Sequence, residues 1–240
     1  MKYTSDISVV WHGIPMQSST LLTASRRHSG KEESLSGTAY RALKEKIVTL
    51  ELPPASLVNE AAIMAELGMG RTPIREAFQR LAMESLVVIL PRRGILIADL
   101  NMSDLQKIFE VRIELETFAA RLAARRATPD QLAAAEALFA DADSIIQRGD
   151  HRQLIQLDHQ AHVLLAQSAH NEFLEQSLDR MYSHVLRLWY GSLHKVSRLR
   201  EAIAEHRDIT AAVKAGDGER AAQIMRAHID GFQNEFMAIL

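Results

Sequence analysis

The sequence predicts a mostly α-helical protein in two parts, and three observations predict it. Residues Glu60 to Arg80 read as two short helices meeting at a glycine turn, Gly68-Met69-Gly70. Two β-rich runs, Val87 to Leu90 and Ile95 to Ala98, follow at once around Pro91-Arg92-Arg93-Gly94, as a hairpin with a basic tip does. Beyond Asn101 only helical periodicity continues, to Leu240. The expected architecture is therefore an N-terminal winged helix-turn-helix followed by a C-terminal antiparallel bundle of about six α-helices. Residues 1–35 read as a flexible extension, 36–100 as the winged helix-turn-helix and 103–240 as the helical part.

In chain order, the extension holds the polar cluster Gln17-Ser18-Ser19-Thr20 and a basic, polar stretch from Arg26 to Glu33. Within it, Ile7 to Trp11 has the β-branched content of a short strand, expected to add to a sheet or pack on a neighbouring subunit. A first helix is expected from about Gly37 to Leu50, with Leu43, Ile47 and Leu50 on one face and Pro53-Pro54 beyond its end. The next helix carries Ala62, Ile63, Ala65 and Leu67 as packing positions. In the one after the glycine turn, Thr72 is expected as the cap and Pro73 at the first helical position, where its missing N–H costs nothing. Ile74, Ala77, Phe78 and Leu81 recur at i, i+3, i+4 and i+7, forming one buried stripe. Thr72, Arg75 and Gln79 fall on the opposite side, where donors reach phosphates and base edges, and Arg71 projects from the turn.

Composition narrows the function classes. The chain has 240 residues, 47% of them hydrophobic, which suits a globular protein with a sizeable core. It contains no cysteine, so disulfides and thiolate zinc sites are excluded. No apolar run reaches the roughly 18 to 20 residues of a membrane span, and no secretory leader pattern appears, so a cytoplasmic location is expected. The net charge of -2 does not argue against nucleic acid, because local charge decides. Between positions 71 and 93 five arginines stand against only Glu76 and Glu84.

The phrase RTPIREAFQRLAMESLV followed by PRRG closely resembles the GntR family of bacterial transcription regulators, over roughly residues 36 to 100. The resemblance implies that Arg71, Thr72 and Arg75 meet DNA at the recognition helix, with Gln79 on the same face. It further implies that Arg80 braces the backbone nearby and that Arg92, Arg93 and Gly94 enter the minor groove. Three positions depart from the pattern. Gly70 replaces a Ser or Thr of the turn, Ser85 replaces a Gly at the wing entry, and Ala61 stands where some members carry an arginine.

Helix breaks in the second part are expected at Thr128-Pro129, Gly149-Asp150, Ala169 to Asn171, Gly191 to Ser197 and Gly216-Asp217-Gly218. Asp158 and His162 lie four apart and project from one helix face. His206 and His228 each lie eleven residues from Asp217, so two helices folding back across that turn would place them side by side. This geometry allows three imidazoles and a carboxylate to converge, a set suited to Zn, Ni, Mn or Fe in the divalent state. Ten histidines also make such spacings common by coincidence.

The runs LDHQAH, EHRDITAAVKAGD and MRAHI resemble the effector domain called FCD, which accompanies the FadR subgroup of GntR regulators. The resemblance implies that Asp158, His162, His206 and His228 bind a divalent metal, most often Zn. EVRIELETFAARLAA resembles the first helix of that domain, and there Arg112 matches an arginine that grips an effector carboxylate. The alternative for Arg112 is an i, i+4 salt bridge to Glu116 on a solvated or interface face. His159, His184 and His194 are weaker candidates, and Trp189 and Tyr190 suit either a pocket or the core. The expected function is a homodimeric transcriptional regulator of operator DNA, controlled by a small organic acid. Two alternatives are a regulator answering to the metal itself, and a metal-dependent hydrolase or lyase for which Glu205 is the available base.

Overall fold

Ser34 accepts the amide of Gly37 and so opens α1 (Leu35–Val48) in the computed structural model, which describes residues 34–192 and 197–239. The predicted Ile7–Trp11 strand lies outside the described residues. Leu50, expected as the last residue of the helix, is outside it, in left-handed backbone at φ 63. Asn59 caps α2 (Glu60–Leu67), and Gly68 ends it at φ 62, a conformation that glycine adopts without a Cβ clash. The next helix, α3 (Arg71–Met83), starts earlier than expected. Gly70 is its N-cap, without a side-chain hydrogen bond, so Thr72 caps nothing and Pro73 sits third in the helix. Proline is tolerated there because first-turn amides have no intrahelical acceptor to lose.

The stripe Ile74, Ala77, Phe78 and Leu81 is fully buried, and it closes a core with Leu43, Ile47, Leu86 and Ile97. The wing is β1 (Val87–Leu90) paired antiparallel to β2 (Gly94–Ile97), in the register Val87 to Ile97 and Leu90 to Gly94. Leu57 adds an isolated bridge to Leu96. Ser85, standing where the family has glycine, enters the wing at φ 60. A side chain in left-handed backbone costs about 1–2 kcal/mol. Ser85→Gly is therefore expected to raise stability by up to about 1 kcal/mol, since glycine's extra unfolded-state freedom offsets part of the gain. Urea denaturation measures it, and an unchanged midpoint would contradict it.

The helical part comprises α4 (Met102–Arg126), α5 (Pro129–Leu138), α6 (Ala142–Arg148), α7 (His151–Ser168), α8 (Glu172–Gly191), α9 (Leu199–Lys214) and α10 (Gly218–Ile239). That is one more helix than expected, because a turn at Phe139–Asp141 splits the second predicted helix. Thr128 and Gln131 form a reciprocal capping box with Pro129 at the start of α5. Asp150 and Asn171 cap α7 and α8. Helices α4 and α10 pack along each other, and Gly218 lets the start of α10 approach the Arg121 backbone, where a Cβ would stand 3.2 Å away.

Helix α8 also meets the winged part. Lys44 of α1 is buried, with its ammonium 2.7 Å from Asp179 and 3.1 Å from Glu84 at the end of α3. The His184 ring lies 2.9 Å from the Glu84 carbonyl. Arg187 is wholly buried and donates to the carbonyl of Ala98 in the connecting segment, while its Nε and other terminal nitrogen have no hydrogen-bond partner.

Candidate metal centre and nucleic-acid interface

Helix α7 presents Asp158 and His162 one turn apart, α9 presents His206 and α10 presents His228. One ligand atom from each lies within 4.8 Å of all the others. His206 Nε2 is 2.9 Å and His228 Nε2 3.5 Å from Asp158 Oδ1, and His162 Nε2 is 3.9 Å from Asp158 Oδ2. All four side chains are buried. The i, i+4 spacing and the fold-back across Asp217 therefore bring together the residues that the sequence marked.

The far sides of two rings are held by carboxylates. His162 Nδ1 meets Glu116 of α4, and His228 Nδ1 lies 2.9 Å from Glu205 of α9. Arg112 binds Glu116 at 2.6 Å and Arg198 binds Glu205, while Tyr182 of α8 donates to Asp158 Oδ2. A carboxylate on Nδ1 holds the ring proton there and turns the Nε2 lone pair toward the centre. His162 Nε2 and His228 Nε2 are nevertheless 3.1 Å apart. Two facing lone pairs repel unless a proton or a metal cation lies between them, and the donor set, three nitrogens and one carboxylate oxygen, fits a divalent ion.

Burial alone would raise the Asp158 carboxyl, but the hydrogen bond from His206 and the three neighbouring imidazoles hold it well below the usual range. Burial opposes ionisation of Glu116 as well, yet Arg112 and His162 bring it down to about 2. Burial, reinforced by His228, lowers His206 to about 4, and burial also lowers His228 against the pull of Glu205. These directions fix a pH dependence for the metal-free protein. Between the ordinary imidazole value of 6.5 and about 4, His206 is neutral when folded and protonated when unfolded, so stability falls as pH falls through that window. At lower pH the unfolded carboxylates take up protons before Asp158 and Glu116 do, and the fall continues. Thermal melts of metal-free protein from about pH 8 to 4.5 are expected to show a steady drop in Tm beginning below about pH 7. A flat profile would contradict it.

Arg112 forms the i, i+4 pair with Glu116, but deep in the fold rather than on a solvated or interface face, with its guanidinium 4.6 Å from the Tyr182 ring centroid. Glu205, which the enzyme reading took as an available base, is engaged by His228 and Arg198. His159 is buried and stacks on Tyr182 at 4.9 Å. His184 stands at the junction with the winged part, and His194 lies outside the described residues. Trp189 and Tyr190 are buried, Trp189 in the core against Phe232 and Phe236. Glu116, Tyr182, Glu205 and Arg198 were not marked by the sequence as outer partners of the candidate ligands. Two of them left a signal: Glu116 by its four-residue spacing from Arg112, and Glu205, read only as an available base, by standing next to His206.

On the winged part, Arg71, Thr72, Arg75, Gln79 and Arg80 are exposed on α3, opposite the buried stripe. Arg75 Nε lies 3.3 Å from Glu60 of α2, and the Arg80 guanidinium lies 3.9 Å from the Tyr40 ring centroid. Arg92 and Arg93 are exposed at the hairpin tip, where Arg92 has φ 63 and Gly94 φ 103.

Comparison with known proteins agrees with both halves. Residues 35–97 match the model of the bacterial regulatory proteins of the gntR family, and residues 107–231 match the FCD domain. The chain is 29% identical over 195 residues to the uncharacterized HTH-type transcriptional regulator YdhC of Bacillus subtilis, covering 80% of this chain and 86% of that one. It is 28% identical over 190 residues to the HTH-type transcriptional repressor RspR of Escherichia coli, covering 79% and 83%. The solved structure of E. coli McbR/YncC shares the fold, with a TM-score of 0.78 over 87% of this chain and 100% of that chain at 22% identity. These families and relatives are transcriptional regulators, so the hydrolase or lyase reading is set aside. The chain belongs to the GntR family of bacterial regulatory proteins, as a transcriptional regulator that carries an FCD domain behind its DNA-binding winged helix.

Proposed function

We propose that this regulator works in the cytoplasm as a homodimer whose operator affinity is set by a small organic acid at a divalent metal held by Asp158, His162, His206 and His228. The observation that carries this reading is the buried cluster itself, with two of its three imidazoles oriented by carboxylates. The ion, Zn by preference, would supply a Lewis-acidic point for an effector oxygen. Around it, Glu116 and Glu205 hold ring protons at Nδ1, and Tyr182 fixes the Asp158 carboxylate. Arg112 reaches the centre through Glu116, and an acid effector exchanging with that carboxylate would engage its planar fork.

Two copies related by a twofold axis would set two α3 helices in successive major grooves. Arg71, Thr72, Arg75 and Gln79 would face base edges and phosphates, with Arg80 on the backbone and Arg92, Arg93 and Gly94 in the minor groove. No described helix is long and apolar enough to cross a membrane. Helix α8 supports a coupling route, because Tyr182 touches a metal ligand while Asp179 and His184 of the same helix touch Lys44 and Glu84. Effector and operator must then change each other's affinity reciprocally.

A second reading makes the metal itself the signal, and the prior engagement of Arg112 by Glu116 favours it. Operator affinity measured on metal-loaded protein with and without a panel of small carboxylic acids separates the two. A shift with an acid supports acid sensing. Affinity that follows free metal alone supports the second reading, and affinity indifferent to both contradicts sensing altogether.

A further inference from the structure

Gly231 lies in the middle of α10, where glycine is a poor helix former, and the structure shows what its missing side chain makes room for. A Cβ at this position would stand 2.3 Å from Cζ, 2.5 Å from Nε and 2.6 Å from a terminal nitrogen of Arg198. Three guanidinium atoms at nearly equal distance mean that the plane of the group lies flat over the helix backbone. The same group lies 5.4 Å from the Phe232 ring centroid. From this seat Arg198 donates to Glu205 Oε1, and Glu205 Oε2 meets His228 Nδ1 at 2.9 Å.

The matching arm at His162 needs no such seat. Arg112 and Glu116 project from one helix a turn apart and are sealed in the core, at 4% and 3% side-chain exposure. Arg198 and Glu205 are 23% and 24% exposed, so water competes for their contact and the geometry must be imposed from outside the pair.

We infer that Gly231 and Arg198 are positioning residues of the metal centre. Gly231 leaves the space in which the guanidinium lies, and Arg198 fixes Glu205 so that His228 keeps its proton on Nδ1 and presents Nε2 to the other ligands. The inference rests on the metal reading of the Asp158 cluster.

The test is Zn2+ affinity by competition with a chromophoric chelator, together with thermal melts of the metal-free proteins. Gly231→Ala is expected to bind Zn2+ more weakly, by up to about 10-fold, the low end of what loss of an outer partner of a metal-bound histidine brings, since Glu205 itself stays, while its metal-free Tm stays level or rises. Arg198→Ala, which adds no bulk, is expected to show the same loss of affinity. Adding Arg198→Lys to Gly231→Ala is expected to recover part of it, because an ammonium reaches Glu205 without a flat seat. Wild-type Zn2+ affinity in Gly231→Ala or Arg198→Ala overturns the positioning role and leaves the metal reading standing. A weaker affinity matched by an equal loss of metal-free stability reduces the pair to packing. A wild-type protein that binds none of Zn2+, Ni2+ or Mn2+ overturns both.

Discussion

Asp158→Ala is expected to cost more metal affinity than the about 10- to 100-fold that follows loss of an outer partner, because it removes the one anionic ligand of the cluster. Three imidazoles then remain, with no carboxylate charge to offset the ion. The substitution also deprives the buried Tyr182 hydroxyl of its acceptor, and a stranded buried donor costs about 1–3 kcal/mol. Asp158→Asn separates the two effects. Its side-chain oxygen can still accept from Tyr182, so it is expected to lose metal nearly as severely while keeping more of the metal-free stability. Metal content by mass spectrometry and chelator competition check the first effect, and melts of metal-free protein check the second. Undiminished metal content in Asp158→Ala would move the centre elsewhere.

Arg75→Ala is expected to remove specific operator binding while leaving metal content and melting temperature unchanged. The side chain is 59% exposed and its one recorded partner is Glu60, a surface pair whose loss costs about 0–1 kcal/mol of stability. A bidentate contact from an arginine to a base discriminates by about 1–3 kcal/mol, and a dimer forfeits it in each half-site. Fluorescence anisotropy on a site selected from random DNA by the wild-type protein measures the loss, with a non-specific duplex as reference. If specific and non-specific affinity fall by the same factor, Arg75 touches phosphate rather than base, and the slope of affinity against salt is expected to shrink by about one unit. Unchanged affinity on both duplexes would remove Arg75 from the interface.

What the sequence revealed and what it hid divide by the range of the interactions. The α3 stripe was legible because Ile74, Ala77, Phe78 and Leu81 repeat at helical spacing and nothing distant alters that. The four candidate ligands were legible because one pair lies a turn apart and the other is symmetric about Asp217. Features set by tertiary contact were not. The run from Pro129 to Arg148 holds no glycine or proline inside it, yet it breaks after Leu138. There Arg207 of α9 donates to the carbonyl of Phe139 at 3.1 Å and pairs with Asp143, a helix stop supplied by another helix. Thr72 was read as a cap from its residue type, whereas the extended backbone of Gly70 makes that residue the cap and starts α3 at Arg71. Tyr182 reaches the cluster from α8 with no spacing that would announce it, and Glu205, though next to His206, turns instead to His228 on another helix.

The buried guanidinium of Arg187 decides where this molecule can be cut. Its one hydrogen-bond acceptor is the carbonyl of Ala98, on the strand side of the connecting segment, although Arg187 itself belongs to the helical part. A truncation that begins at Met102, where the helices begin, would take away that acceptor and leave the cation without one. A junction placed before Ala98 keeps donor and acceptor on one piece. For anyone cutting the helical part out alone, its working boundary lies at the end of β2, ahead of Ala98, rather than at the first residue of its first helix.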